Sequence, residues 1–450
     1  MIRVKAALAR TAGRLSRASG RGGGTTLPGR LLLRMDGNAI DKLGGRLSGG
    51  STLISATNGK TTTASMLNTI LAAAGRHPVY NGAGSNMTWG VATALLEQRG
   101  TEGLFEVDEA WLPETANRLN PGVILLGNLF RDQLDRYGET EALADAWAGL
   151  AATRENSTRF VLNADDPLIA DIGSSAGPGA SFFGIDDPAQ ALPGTEHAHD
   201  AKLCRRCGDE LTYERTFMGH LGHYRCESCG LTRPRPDVSA REVQLRGMTG
   251  LSARIDTPER TVSLDLPLPG LYNLYNALGA IATARQLGIS PSDSVAALAG
   301  MKAVFGRMEK ISIGATDLSI LLIKNPAGAN EVLRTLALEP APIPIWIALN
   351  DRIADGRDVS WIWDADFETL AESAGPVICT GTRAPEMALR LKYAGWPVDS
   401  IRIESGAARA LDLALAANPA NLYALPTYTA LLELRRLLAG RGIAGHYWDA

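Results

Sequence analysis

No apolar run in this chain reaches the ~18 residues that a membrane-crossing helix needs, so its 450 residues are expected to form a soluble protein. Cysteine is scarce. Five in a chain of this length exclude the dense pairing of a secreted disulfide scaffold. Charge is nearly balanced at a formal −3, which argues against a general nucleic-acid binder. No internal repeat or low-complexity tract is evident. Acid is missing from the first 35 residues, where Arg3, Lys5, Arg10, Arg14, Arg17, Arg21, Arg30 and Arg34 all fall. Such a start fits a transit peptide, a solvated helix packed on the next domain, or a helix touching anionic lipid headgroups. It lacks the apolar core of a secretory signal. Lysine, finally, is absent between Lys60 and Lys202.

Of what is present, residues 51–63, STLISATNGKTTT, carry the most information. Thr52-Leu53-Ile54 predicts a strand and Ala64–Ala74 a helix, with Thr57-Asn58-Gly59-Lys60-Thr61 as a small-residue turn between them. A strand–turn–helix of this kind aims backbone N–H groups and a helix N-terminus at a phosphate. Lys60 would then sit on the β/γ-phosphates of ATP, and the Thr61 hydroxyl would reach Mg²⁺. Ile54 stands where the general pattern G-x-x-x-x-G-K-S/T has its first glycine, so an ordinary capped helix with a solvated lysine is the alternative. Strand-like segments follow at Leu104–Val107, Val123–Leu126 and Phe160–Leu162, separated by helical stretches. That alternation predicts an α/β fold with a parallel, doubly wound sheet. Apolar alternation returns at Val243–Ile255 and Val262–Leu266, before a helix at Tyr275–Leu287. A second βα series, with strands at Leu318–Ile323, Ile343–Leu349, Val377–Cys379 and Leu422–Leu425, places a domain boundary between Met301 and Asp317.

Cys204-x-x-Cys207 and Cys226-x-x-Cys229 have the spacing of a zinc ribbon. Each pair presents two thiolates, and four close the coordination shell of a structural Zn²⁺. A pair of disulfides is the alternative. His220 and His223, between the pairs, are expected at the surface, and Cys379 is expected to be a small core residue.

The short form T-N-G-K-T-T, residues 57–62, resembles the Mur ligases, ATP-dependent amide-forming enzymes of peptidoglycan synthesis, with Ala56 in place of their usual glycine. The four-cysteine insertion and the C-terminal segments resemble the branch of that family that amidates the D-glutamate of lipid II. The resemblance implies a basic segment 1–45, a central parallel-sheet ATPase domain 46–305 with the zinc ribbon at 197–235, and a smaller Rossmann-like α/β domain 306–450. It implies ATP contacts at Thr57, Asn58, Gly59, Lys60, Thr61 and Thr62, a Mg²⁺ ligand at Glu106 beside Thr61, and a polar residue, Asn128, facing the nucleotide. Gly270-Leu271-Tyr272-Asn273 resembles a family segment whose asparagine meets adenine, here Asn273. Gly306-Arg307-Met308-Glu309 resembles one whose arginine reaches the γ-phosphate, here Arg307. Gln133 replaces a metal-site histidine, and the lysine that ordinary Mur ligases carbamylate for a second metal has no counterpart. Lys324-Asn325-Pro326-Ala327-Gly328 is a further family-like segment.

In that branch the stretch Asn350–Asp364 meets a GatD-like glutamine amidotransferase partner, forming a heterodimer. Asp358 would complete the partner's Cys–His pair, while Asp351 and Asp355 lie in the same loop. Nothing in the chain resembles a glutaminase, so ammonia should come from that partner. The implied place of action is the cytoplasmic face of the membrane. Two other readings stay open: a stand-alone Mur or folylpolyglutamate-type amino-acid ligase, and a nucleotide-gated zinc-ribbon protein.

Overall fold

The computed structural model describes residues 2–18, 26–82, 85–132, 140–154, 156–194, 196, 199–301 and 307–445. Three helices open the chain, Ile2–Ala18, Leu27–Met35 and Ala39–Gly44. The first packs on the following structure through Ala6 and Ala9, which meet Leu32, Ala39 and Leu96.

Fourteen residues of helix, Lys60–Ala73, follow the first strand, β1 (Ser51–Ser55). Around β1 lie β2 (Val79–Tyr80), β3 (Gly103–Glu106), β4 (Val123–Leu126), β5 (Arg159–Asn163) and β6 (Ser181–Ile185). A hairpin of β7 (Thr212–Met218) and β8 (Leu221–Arg225) intervenes before β9 (Val238–Leu245), β10 (Leu251–Asp256) and β11 (Thr261–Leu266) complete the sheet. Its order is β11-β10-β9-β6-β5-β4-β1-β3-β2. The period-2 alternation of a strand divides its core. Leu53, Phe105, Ile124 and Leu126 face one side, while Ile54, Leu104, Val123 and Leu125 face the helices Lys60–Ala73 and Leu271–Gln286 on the other.

The parallel sheet read from residues 52–163 is found there, and parallel pairing extends through β6 to β9, which the sequence reading did not include, while β10 and β11 pair antiparallel at the edge. The short links Arg246–Gly250 and Thr257–Arg260 cannot hold the crossover that parallel pairing requires.

A second, six-stranded sheet has the order β12-β13-β17-β14-β15-β16. Its strands are β12 (Arg307–Ile313), β13 (Thr316–Leu321), β14 (Ile343–Ala348), β15 (Ala374–Thr380), β16 (Ile401–Ile403) and β17 (Asn421–Pro426). β12 is antiparallel to β13, and the remaining pairs are parallel. Helices Pro326–Leu336 and Ala384–Tyr393 cover one face, and Ala407–Ala416 and Tyr428–Gly440 the other. In such sheets ligands gather at the carboxyl ends of the strands. Lys324 and Asn350 lie just beyond two of them.

Candidate functional site

β1 ends in a turn that closes at Gly59, whose φ of +89° is left-handed. A side chain there is barred twice, by that backbone and by Asn276, since a Cβ would come within 2.0 Å of its Oδ1. Ala56 is not among the positive-φ residues, so alanine is tolerated at that point of the turn. The turn is held from the next strand's loop. Asn58 N–H donates to Asn128 Oδ1 at 2.9 Å, Asn128 Nδ2 returns a bond to Asn58 O at 3.0 Å, and Phe130 N–H donates to Thr57 Oγ1 at 3.1 Å.

Lys60 begins the helix and is buried. Its ammonium donates to Ala56 O and, at 2.7 Å, to Glu109 Oε2. Burial pushes the Glu109 carboxyl up, but the Lys60 and Lys324 charges and the Lys60 hydrogen bond outweigh it and hold the group below its usual range. Glu106, also buried, ends β3 opposite Ile54 of β1. Its backbone exchanges two bonds with the Asn81 amide.

The second domain closes over this turn. Asn325 and Asn58 exchange amide bonds at 3.1 and 3.2 Å, Lys324 Nζ donates to Thr57 O at 3.0 Å, and Lys324 also pairs with Asp132. Asn325 caps its own helix by accepting from Gly328 N–H at 2.9 Å. Between the two domains lies an open cleft, at the kind of domain junction where small-molecule sites are usually found. Asn58, Gly59, Thr62, Asn128 and Asn273 line it from the central domain, and Lys324, Leu321 and Glu331 from the other. Asn273 is fixed by donating to Pro269 O at 2.7 Å and accepting from Asn276 Nδ2 at 3.1 Å. The Arg307 backbone pairs with Leu321 in the cleft wall; its side chain, Gly306 and Gln133 lie outside the described residues.

The four cysteines do converge. Cys204 and Cys229 sulfurs are 3.5 Å apart, Cys207 and Cys226 3.4 Å, and all four lie within 4.8 Å of one another. A tetrahedron with 2.3 Å arms has edges of about 3.8 Å, so the donor set fits Zn²⁺. Each knuckle turns back at a left-handed glycine, Gly208 or Gly230. Arg205 and Arg206 moor the ribbon to Asp171 at 3.1 and 2.6 Å.

The two intervening histidines correct the surface expectation. His220, at the hairpin tip, is fully buried beside the Phe130 ring with Nε2 3.3 Å from Asp166. His223 is largely buried and bonds Ile185 O at 2.9 Å. The hairpin folds inward because its tip completes the packing under the 127–132 loop, where Asp166 also accepts from Leu129 N–H at 2.8 Å. Burial alone would lower the His220 pKa, but the Asp166 carboxylate beside it raises it above the usual histidine value.

In the loop after β14 the three acids have different partners. Asp351 pairs with Arg383 at 2.7 Å, and Asp355 is buried, accepting from Thr429 N–H at 2.7 Å and from its hydroxyl. Asp358 is exposed and accepts from Ser360 N–H at 2.8 Å, which holds its carboxyl below the usual value. Cys379 is fully buried at the end of β15, and burial pushes its thiol up to about 12. That is the opposite of a nucleophile's requirement.

Sequence reasoning missed Glu109, three residues past Glu106, and gave Lys324 no task. Both act through contacts between separate elements, though a run of acids just after a strand beside a P-loop was a usable signal for the first.

Residues 54–284 match the model of the Mur ligase middle domain, and residues 322–431 that of the MurT ligase C-terminal domain. The chain is 35% identical to the lipid II isoglutaminyl synthase (glutamine-hydrolyzing) subunit MurT of Streptococcus pneumoniae, over 98% of this chain and 99% of that one. To the protein of that name in Staphylococcus aureus it is 32% identical over 95% of each. Among solved structures, a pseudomurein peptide ligase type C from Methanothermus fervidus superposes with a TM-score of 0.65 at 23% identity, over 87% of this chain and 79% of that one. Fold and cleft together define an ATP-dependent ligase of the Mur type. Within that class, the chain belongs to the MurT family.

Proposed function

We propose that the chain is the synthetase subunit of a lipid II isoglutaminyl synthase, converting the D-glutamate of the stem peptide to D-isoglutamine. The observation that carries this reading is the end-to-end likeness to two subunits of that name. The ATP γ-phosphorus leaves ADP and bonds to an oxygen of the α-carboxylate. Ammonia then attacks the acyl carbon, the C–O bond to phosphate breaks, and one proton is lost. Phosphorylation supplies the leaving group that a carboxylate lacks, while the protein positions the groups and stabilises charge.

In this reading Asn273 meets adenine, and the turn Thr57–Thr62 cradles the phosphates. Lys60, Arg307 and Lys324 bring positive charge to the transferring group. Thr61 and Glu106 would hold Mg²⁺, which when bound offsets phosphate charge. Cys204, Cys207, Cys226 and Cys229 hold Zn²⁺ as a structural staple. The nitrogen comes from a GatD-like glutaminase in a heterodimer, with Asp358 orienting its catalytic histidine. Exposed Ile353 and Trp363 beside that loop, and Tyr393 whose ring lies 6.0 Å from that of Trp363, support a docking face there. The complex works at the cytoplasmic face of the membrane; among the described residues no helix is long and apolar enough to cross it.

The test is amidation of lipid II with ATP and either glutamine or ammonium, with and without the partner. Ammonium should support the synthetase alone and glutamine only the complex. Absence of ATP-dependent product with either nitrogen source, from folded complex, would overturn the assignment.

A further inference from the structure

The helix Ile2–Ala18 has two unlike sides. Ala6 and Ala9 are buried against Leu32, Ala39 and Leu96, and Gly13 lies so close to Pro28 that a Cβ would come within 2.5 Å of it. Small residues fill that side because the helices approach closely. On the other side Val4, Leu8 and Leu15 are 67%, 56% and 67% exposed. At 100° per residue, Val4, Leu8, Thr11 and Leu15 fall within about 60° of arc, so they form one stripe rather than scattered exceptions. A face meant only for water gains nothing from three large aliphatics in register.

Charge identifies what covers the stripe. Arg14, on its flank, is exposed, while Arg10 lies nearer the packed side and donates to Leu96 O at 2.8 Å; the first 35 residues hold eight basic side chains and no acidic one. With the whole chain at −3, the remaining 415 residues carry a net −11. In sequence the N-terminal segment is thus a basic pole, and the rest of the chain is net acidic. Near an anionic bilayer the pole is attracted and the body repelled, which orients the molecule stripe-first. A second copy of this chain would instead bring an identical basic pole against it.

We propose that the Val4–Leu8–Leu15 stripe beds into the interface of an anionic phospholipid bilayer, with the helix lying in the plane of the surface. Its usefulness rests on the function proposed above, because a lipid-linked carboxylate is then met in two dimensions rather than three.

Flotation of the full chain, with its partner subunit bound, tests this on substrate-free vesicles of phosphatidylglycerol and phosphatidylethanolamine, against vesicles of phosphatidylcholine. The protein should float with the anionic vesicles and stay behind with the neutral ones. The variant Val4→Glu/Leu8→Glu/Leu15→Glu should lower the bound fraction at least about tenfold with unchanged thermal unfolding, as the three side chains are exposed. Arg14→Glu, a single surface change, should weaken flotation in the same direction. Amidation of a soluble muropeptide should survive in the triple variant, while turnover of vesicle-embedded substrate falls. Equal flotation of variant and unmodified protein, or no flotation of either, overturns the proposal. So does loss of the partner or a changed oligomeric state with vesicle binding intact, because a protein then covers the stripe. Normal flotation with neither substrate amidated would instead remove the functional reading and leave the membrane surface standing.

Discussion

Replacing Asp358 by asparagine separates two chemistries that the chain brings near each other. Among the three acids of the loop, Asp351 is tied to Arg383 and Asp355 to the first turn of helix Tyr428–Gly440, while Asp358 extends into solvent with its backbone neighbour Ser360 as its hydrogen-bond donor. The substitution preserves shape and leaves every contact of the synthetase cleft in place, so unfolding temperature and ammonium-driven turnover should change little. Glutamine-driven turnover should collapse. A triad carboxylate that sets its histidine's tautomer is worth up to ~10⁴-fold when replaced by an amide, and Asp358 is accessible enough to play that part across an interface. The assay is paired amidation of lipid II by the assembled complex, with saturating glutamine and with saturating ammonium. Asp351→Asn and Asp355→Ala are the controls. The first releases an ion pair, and the second removes charge-assisted bonds to Thr429 at about 2 kcal/mol, so both should lower stability without a selective loss of glutamine use. If Asp358→Asn depresses both nitrogen sources equally in assembled complex, Asp358 serves substrate or Mg²⁺ and the split-triad reasoning is wrong.

Lys60→Met with Glu109→Gln should retain the fold yet lose amidation with either nitrogen source. The single Lys60→Met variant strands a buried carboxylate, and removing one member of a buried pair costs ~3–5 kcal/mol, so its melting temperature should lie below that of the double variant. Glu109→Gln alone should lower the melting temperature but enlarge the stabilisation by ATP, because phosphate then offers Lys60 its missing counter-charge; an unchanged ATP shift in calorimetry refutes this. Elemental analysis of protein purified without chelator should give about one zinc per chain, and Cys204→Ser should cost stability more than ATP affinity, since metal binding and folding of the ribbon are coupled. His220 has a folded pKa above its unfolded value, so the stability it adds is fully present below about pH 6.5. That contribution is lost as pH rises through the folded value. Denaturation curves should therefore show the cost of His220→Gln largest in mild acid and shrinking as pH rises.

Features encoded by local spacing were legible in the sequence. β4 was read at its observed ends, and the P-loop strand and its helix to within a few residues, because apolar alternation and a glycine turn are local signals. The cysteine knuckles were equally plain, since four thiols two and two apart leave few arrangements. Glu109 was not legible, because its role exists only where the end of β3 meets the start of the P-loop helix. His220 was misread for a related reason: four sulfurs suffice for zinc, so a histidine between them looked spare, yet the hairpin tip is driven inward to fill space under Phe130. The three loop acids could be ranked only by resemblance until the folded chain supplied partners for Asp351 and Asp355. β10 and β11 show the same limit. Alternation ran Val243–Ile255 together as one segment where the chain turns at Gly247–Thr249 between β9 and β10, and the direction of pairing depended on the length of the connections.

The topology of the second domain relates the two halves of the proposed reaction. β13, β17 and β14 are parallel neighbours in that order, so their carboxyl ends share one edge of the sheet. Lys324 and Asn325 follow β13 at that edge and grip the phosphate-binding turn, while the loop carrying Asp358 follows β14. Two strand spacings amount to about 10 Å. Thr427, at the end of β17 between them, ties the edge together: its hydroxyl accepts from Asn350 N–H at 3.0 Å and its own N–H donates to Ala348 O at 2.9 Å. On the other side Ile323 N–H donates to Pro426 O at 3.0 Å, so rotation of this domain against the central one should move the Lys324 contact and the Asp358 loop together. The cleft is lined from both domains, so on the proposed function nucleotide binding that drew them together would also fix where the Asp358 loop stands. On the proposed function, a rigid edge of this kind would keep the ammonia source aligned with the site of phosphorylation without a direct bond between the two.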